Sequence, residues 1–86
     1  MNTPVFVDTF SVGLYELPRR KQRDTVAVLR VLDREKRFSV FEATANQDIA
    51  RTMDRIVRDG LITTDTSCGF PWTKCKLTEK GRAMLT

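Results

Sequence analysis

Gln47, Arg51, Arg55 and Arg58 follow one another at spacings of four, four and three residues, so on a helix they stack along one side. Arginine and glutamine are the side chains that read guanine and adenine edges with two hydrogen bonds at once. Asn46 and Thr52 stand where they could join that row at its edge. Two basic clusters flank it. Arg19, Arg20, Lys21 and Arg23 form one; Lys74 and Lys76 form the other, alternating with Thr73 and Cys75 so that both lysines share one face of a strand. The formal charge is +4, from 15 Lys and Arg against 11 Asp and Glu, and the excess sits in these clusters. Such clusters attract polyanions: DNA, RNA or an anionic lipid surface. The competing account of each feature is a solvated surface. The helix arginines would then pair with Asp48, Asp54 and Asp59, and the two lysines would guard a sheet edge.

Much other chemistry is excluded. The 86 residues contain no His and two Cys. A Ser-His or Cys-His nucleophile pair cannot form within the chain, and two Cys without His cannot close a four-ligand zinc site. Cys68 and Cys75 fall on opposite arms of a predicted hairpin, so a cross-strand disulfide is geometrically open, with free thiols in a reducing cytoplasm the favoured alternative. No carboxylate pair occupies an evident cleft. The expectation is a protein that is not an enzyme, with no catalytic residue, no metal, no cofactor and no evident small-molecule ligand. No apolar run approaches the roughly 18 residues of a membrane span, and the N-terminus lacks a signal-peptide pattern. A cytoplasmic setting without membrane contact is expected.

The elements that must position these residues follow from periodicity. At 86 residues, 41% hydrophobic and 30% charged, the chain has the composition of one small globular domain. Residues 4–12 alternate loosely and predict a short strand. Gly13 and Pro18 bracket a connection anchored by Leu14, Tyr15 and Leu17. From Pro18 to about Arg37 the sequence predicts a helix with Val28, Leu29 and Leu32 as its apolar stripe, although its β-branched residues would also permit a strand. Ser39 and Glu42 have capping-box spacing for a very short helix over Val40–Ala43, against a brief strand over Phe38–Phe41. Thr44 and Gln47 repeat that spacing ahead of a clear third helix, Gln47–Asp59, with Ile49, Met53, Ile56 and Val57 on one face and Gly60 as its stop. Leu61–Thr64 and Trp72–Leu77 read as strands joined through Gly69-Phe70-Pro71, and Thr78 caps a terminal helix. Phe38 and Phe41 are assigned to the core. Phe70 and Trp72 are expected to fold back onto it, with stacking on a base or a partner subunit as the alternative.

Helix, short helix, helix, hairpin, short helix is the winged helix-turn-helix order. The stretches Arg58-Asp59-Gly60-Leu61-Ile62 and Pro71-Trp72-Thr73-Lys74-Cys75-Lys76-Leu77-Thr78-Glu79-Lys80-Gly81-Arg82 resemble bacterial MarR-type and HxlR-type transcription regulators. Those families read "dGLI", a variable wing, then "LTxxGr". Arg37-Phe38-Ser39 resembles the HxlR-type approach to the second helix. The resemblance spans roughly residues 24–86. It departs in a shorter segment from Phe38 to Gly60, a wing without Asp-x-Arg, no long dimerisation helices and no N-terminal sensor Cys.

The resemblance implies an α+β winged helix-turn-helix, a three-helix core plus a two-stranded β wing, with an extra N-terminal strand or arm. Residues 1–18 would be the arm, Val5–Leu17 being the candidate dimer contact, and residues 19–86 the domain. The expected function is that of a small sequence-specific double-stranded DNA-binding protein, a bacterial or phage transcription regulator acting as a homodimer on a two-fold site. Its third helix would offer Asn46, Gln47, Arg51, Thr52, Arg55 and Arg58 to the major groove. Lys74 and Lys76 on the wing, and Arg19, Arg20 and Lys21 at the start of the first helix, would meet backbone phosphates. The alternative is a winged-helix protein-interaction module without DNA readout.

Overall fold

The computed structural model describes residues 13–86, which form an α+β body. In chain order the elements are α1 Gly13–Glu16, α2 Arg19–Gln22, α3 Thr25–Glu35, β1 Arg37–Ser39, α4 Val40–Ala43, α5 Gln47–Arg58, β2 Ile62–Asp65, β3 Trp72–Leu77 and α6 Glu79–Ala83. The strand expected over residues 4–12 lies outside the described residues, as does most of the segment expected to make dimer contacts. Its described end is already in use: Leu14 is buried in the core and Leu17 packs against it. The folded body therefore begins before the boundary at residue 19.

The long first helix expected from Pro18 to Arg37 is two helices. Asp24 takes an extended conformation, and its carboxylate accepts the Val26 N–H at 3.0 Å, so it ends one helix and caps the next. This break turns Val28, Leu29, Val31 and Leu32 inward together. At its other end α3 stops on Lys36, held left-handed at φ 63° and ψ 13°.

The sheet has three antiparallel strands in the order β1-β3-β2, where two were expected. Arg37, Phe38 and Ser39 face Lys74, Thr73 and Trp72 across one side of β3, and Ile62 to Asp65 face Leu77 to Lys74 across the other. The two competing accounts of residues 38–43 are each half realised, because Ser39 is both the last strand residue and the cap of α4. Its hydroxyl accepts the Glu42 N–H at 3.1 Å, and its own N–H donates to Glu42 Oε1 at 2.9 Å. A one-turn helix has room for little inward surface, and in α4 that surface is Glu42. Phe41, expected in the core, is consequently 59% exposed.

Helix α5 buries Ile49, Met53 and Ile56 as its spacing predicts, but Val57 stays 50% exposed at the margin of the stripe. Its cap is Asn46 and not Thr44: Asn46 Oδ1 accepts the Ile49 N–H at 2.9 Å, while the Thr44 hydroxyl donates back to the Val40 carbonyl at 2.7 Å. Gly60, at φ 70°, supplies the left-handed stop. Thr78 caps α6 by accepting the Gly81 N–H and ties it to the end of α5 by donating to the Gly60 carbonyl at 2.7 Å. Gly81 is required by close approach, since a Cβ there would lie 2.1 Å from the Leu61 carbonyl oxygen. Each large apolar side chain buried between α3, α5 and the sheet contributes about 1.5–3 kcal/mol. No helix among the described residues is long and apolar enough to cross a membrane.

Candidate nucleic-acid interface

With Ile49, Met53 and Ile56 turned inward, α5 leaves Gln47, Arg51, Arg55 and Arg58 exposed on its outer side. Their partners differ. Arg58 pairs with Asp54 one turn earlier, both side chains well exposed. Arg55 Nη1 donates to the Thr25 hydroxyl at 3.3 Å. Arg51 joins no ion pair among the described residues. Exposed ion pairs contribute little, about 0–1 kcal/mol, so the Arg58 pair can be exchanged for a polyanion at small cost. The solvated-surface account is thus realised for Arg58 alone; Asp48 and Asp59 make no such pair with the helix arginines among the described residues.

Two residues expected at the groove edge are absorbed by the junction between α2 and α5. Thr52 is 1% exposed, and its hydroxyl lies between the Gln22 carbonyl at 2.7 Å and the Asp48 carbonyl at 2.8 Å. It cannot meet a ligand, because the 100° step per residue puts position 52 on the same side as Ile49 and Ile56. Asn46 donates its Nδ2 to Gln22 Oε1 at 3.0 Å while its Oδ1 caps the helix. Gln22 completes the network by donating to the Leu17 carbonyl at 2.9 Å. Gln22 carries much of this arrangement and was not singled out by sequence; the one available signal is that it is the uncharged member of the run Arg19 to Arg23.

The basic cluster of α2 divides. Arg19 reaches Asp48 at 3.0 Å and Arg23 reaches it at 3.4 Å. The Arg19 hydrogen bond, with the Arg23 charge nearby, holds the Asp48 carboxyl below its ordinary pKa. Arg20 and Lys21 remain exposed and join no ion pair among the described residues. Positive charge at the start of α2 is unfavourable toward the helix dipole, and Asp48 offsets it across the junction. The structure therefore joins α2 to α5 through Arg19, Gln22 and Arg23, and leaves Arg20 and Lys21 of α2 and Gln47, Arg51 and Arg55 of α5 exposed.

Lys74 and Lys76 belong to a second surface. Both are exposed on β3 while Cys75 and Leu77 point to the core, as strand alternation requires. Lys74 stands opposite Arg37 on one side and Asp65 on the other. The Ser67 N–H, donating to Asp65 at 2.9 Å, is the main cause of that carboxyl's lowered pKa, with the Lys74 charge a lesser one. Beyond the strands, Phe70 is 82% exposed and meets Phe41 edge-on at 5.7 Å between ring centroids, so neither ring folds back onto the core. Trp72 is half-buried with the Arg37 guanidinium 4.2 Å from its ring centroid, a cation–π contact.

The two thiols are free. Cys68 is exposed and donates to the Trp72 carbonyl at 3.3 Å, while Cys75 is buried. Cys75 lies opposite Thr64 in the sheet, so the register does not set the two Cys across from each other. The chain matches no protein-family model, no curated protein and no solved structure.

Proposed function

We propose that this chain is a small winged-helix protein that binds double-stranded DNA and regulates transcription, with α5 in the major groove. The observation that carries the reading is the outer side of α5. Gln47, Arg51 and Arg55 are exposed there on a helix whose opposite face is locked into the core by Ile49, Thr52 and Ile56. The row stands on a fixed helix backbone, so binding has only the side chains left to order. The order α3, β1, α4, α5, β2, β3, α6, with β1 added to the hairpin, agrees with a winged-helix layout. In that layout the β2–β3 hairpin is the wing, and Lys74 and Lys76 lie along flanking phosphates. One helix covers few base pairs, so two copies on a two-fold site complete the reader. The role is non-enzymatic, needs no cofactor and is set in the cytoplasm.

Titration of a fluorescent random-sequence duplex at several salt concentrations tests this. Wild type is expected to bind with a log–log salt slope of several units, and Arg51→Ala/Arg55→Ala to bind at least roughly tenfold more weakly. Absence of binding at low salt would sink the reading. A second reading, a protein-interaction module, is favoured by one observation: Val40 and Phe70 are both exposed, and the Val40 N–H is bonded to the Pro71 carbonyl at 2.9 Å. Binding insensitive to the arginine pair but lost with Phe70→Ser would favour it.

A further inference from the structure

Strand alternation turns Trp72, Lys74 and Lys76 of β3 to the side of the sheet away from the core, opposite to Cys75 and Leu77. Directly opposed residues share a face, so the pairing sets Arg37 of β1 on one flank of Lys74 and Asp65 of β2 on the other. The Arg37 guanidinium over the Trp72 ring, 4.2 Å from its centroid, agrees with that placement. Three cations, Arg37, Lys74 and Lys76, thus share the outer face of the sheet with Asp65, and all three are exposed.

A solvated surface accounts poorly for this arrangement. In the order β1-β3-β2 the lysines stand on the central strand, so they guard no sheet edge. Arg37 and Lys74 face each other directly, and like charges so placed destabilise a strand pair. Neither joins an ion pair among the described residues, and Asp65 accepts the Ser67 N–H at 2.9 Å. Trp72 holds the guanidinium in place by a cation–π contact. None of the guanidinium N–H groups donates to a protein oxygen among the described residues.

We infer that Arg37 and Lys74 hold one backbone phosphate of a bound duplex between them, with Trp72 as the positioning residue for Arg37. Such a clamp rests on the duplex-binding reading and extends it from β3 to β1. Cβ atoms of directly opposed residues lie about 4.5–5.5 Å apart, so the two long cationic side chains can converge on a single oxyanion. Arg37 offers a planar fork to the phosphate oxygens and Lys74 a point charge. The phosphate replaces the repulsion within the pair by two attractions. Lys76 stands two residues on, about 7 Å along the strand, where it serves a neighbouring phosphate. Cations in a regular row suit a polymer of regularly spaced charges better than the irregular acidic surface of a protein.

The test is a fluorescent-duplex titration at several salt concentrations with wild type, Arg37→Gln, Lys74→Gln and the double variant. Each single change, at an exposed side chain, is expected to weaken binding roughly tenfold, the loss of one charged hydrogen bond. The double variant should lower the log–log salt slope by about one unit and not two, because one phosphate is shared. Trp72→Leu should match the loss of Arg37→Gln and Trp72→Phe should restore most of the affinity, with folding of each chain checked by its urea transition. Lys80→Gln, which removes a charge from α6, should bind as wild type does. Wild type that binds no duplex at low salt overturns both the clamp and the duplex-binding reading. Binding weakened by Arg51→Ala/Arg55→Ala but unchanged by Arg37→Gln overturns the clamp alone, as does a slope lowered by two units. Poly-glutamate bound as tightly as duplex, with the same sensitivity to Arg37→Gln, would assign the face to acidic proteins instead.

Discussion

Glu42 lies in the first turn of α4 with its side chain fully buried, and Asp48 lies in the first turn of α5 facing Arg19 and Arg23. Both positions favour a negative charge through the helix dipole, yet the two carboxyls are pushed in opposite directions. Burial raises the pKa of Glu42, the Glu35 charge adding to it and the Ser39 N–H opposing it. One of its oxygens caps α4, while Oε2 has no hydrogen-bond partner among the described residues. Asp48 is lowered, chiefly by Arg19. The contrast shows that partners, more than helix position, decide whether a carboxylate stabilises its surroundings. It also separates a structural corner from a surface that can receive a polyanion. Around Asp48 the polar groups are satisfied by long-range partners; around Glu42 a carboxyl is enclosed by burial.

The largest effect should come from removing the partner that satisfies the α2–α5 junction. Gln22→Ala takes the acceptor from Asn46 and the donor from Leu17. A loss of about 2–3 kcal/mol is expected from leaving these groups unpaired, read as a lower urea midpoint. A loss under about 0.5 kcal/mol would mean that the junction is not what fixes α5.

Glu42→Gln tests the other side of the comparison. With its folded pKa raised, Glu42 contributes stability that is fully present below its ordinary value of 4.5 and is lost as pH rises through the folded value. Removing the charge should therefore stabilise the chain by about 1 kcal/mol at pH 7, and the gain should vanish toward pH 4. Urea curves for both chains across that range give the answer, and a variant destabilised at every pH would show that the charged cap outweighs the enclosed oxygen. Glu42→Gln should leave DNA affinity unchanged.

Asp48→Asn is the smallest of these changes. The lowered carboxyl contributes stability above its ordinary value of 3.8 that is lost as pH falls through the folded value, so the variant should flatten the acid limb of the stability curve. It also frees Arg19 and Arg23 beside α5. Duplex binding should tighten, and the log–log salt slope should steepen by about one unit for each phosphate newly engaged. An unchanged slope would detach the α2 cluster from the proposed interface.

Most elements set by local pattern are legible from sequence, and those set by contacts across the chain are not. Ile49, Met53 and Ile56 announce α5, Gly60 its stop and Thr78 the cap of α6, because each acts within one or two turns. Ser39 and Glu42 announce α4 by the same local logic. The break at Asp24 was missed because the apolar stripe of α3 masks a cap that also acts locally. Strand β1 depends on the free side of β3, which lies far along the chain. Phe41 was misplaced because a one-turn helix with Glu42 inward turns its neighbour outward. At the candidate site the row Gln47, Arg51, Arg55 and Arg58 can be read from spacing alone. The burial of Thr52 follows from the same spacing and was overlooked in favour of its polarity. The claim of Asp48 on Arg19, 29 residues away, cannot be read from any local pattern.

The most direct measurement of the account is the footprint of a duplex on the labelled full chain at low salt. The account predicts that amides of Gln47, Arg51 and Arg55 shift most, that Lys74 and Lys76 shift less, and that the buried junction at Thr52 moves little. Shifts gathered instead around Val40 and Phe70, or a spectrum unchanged by DNA, would contradict it.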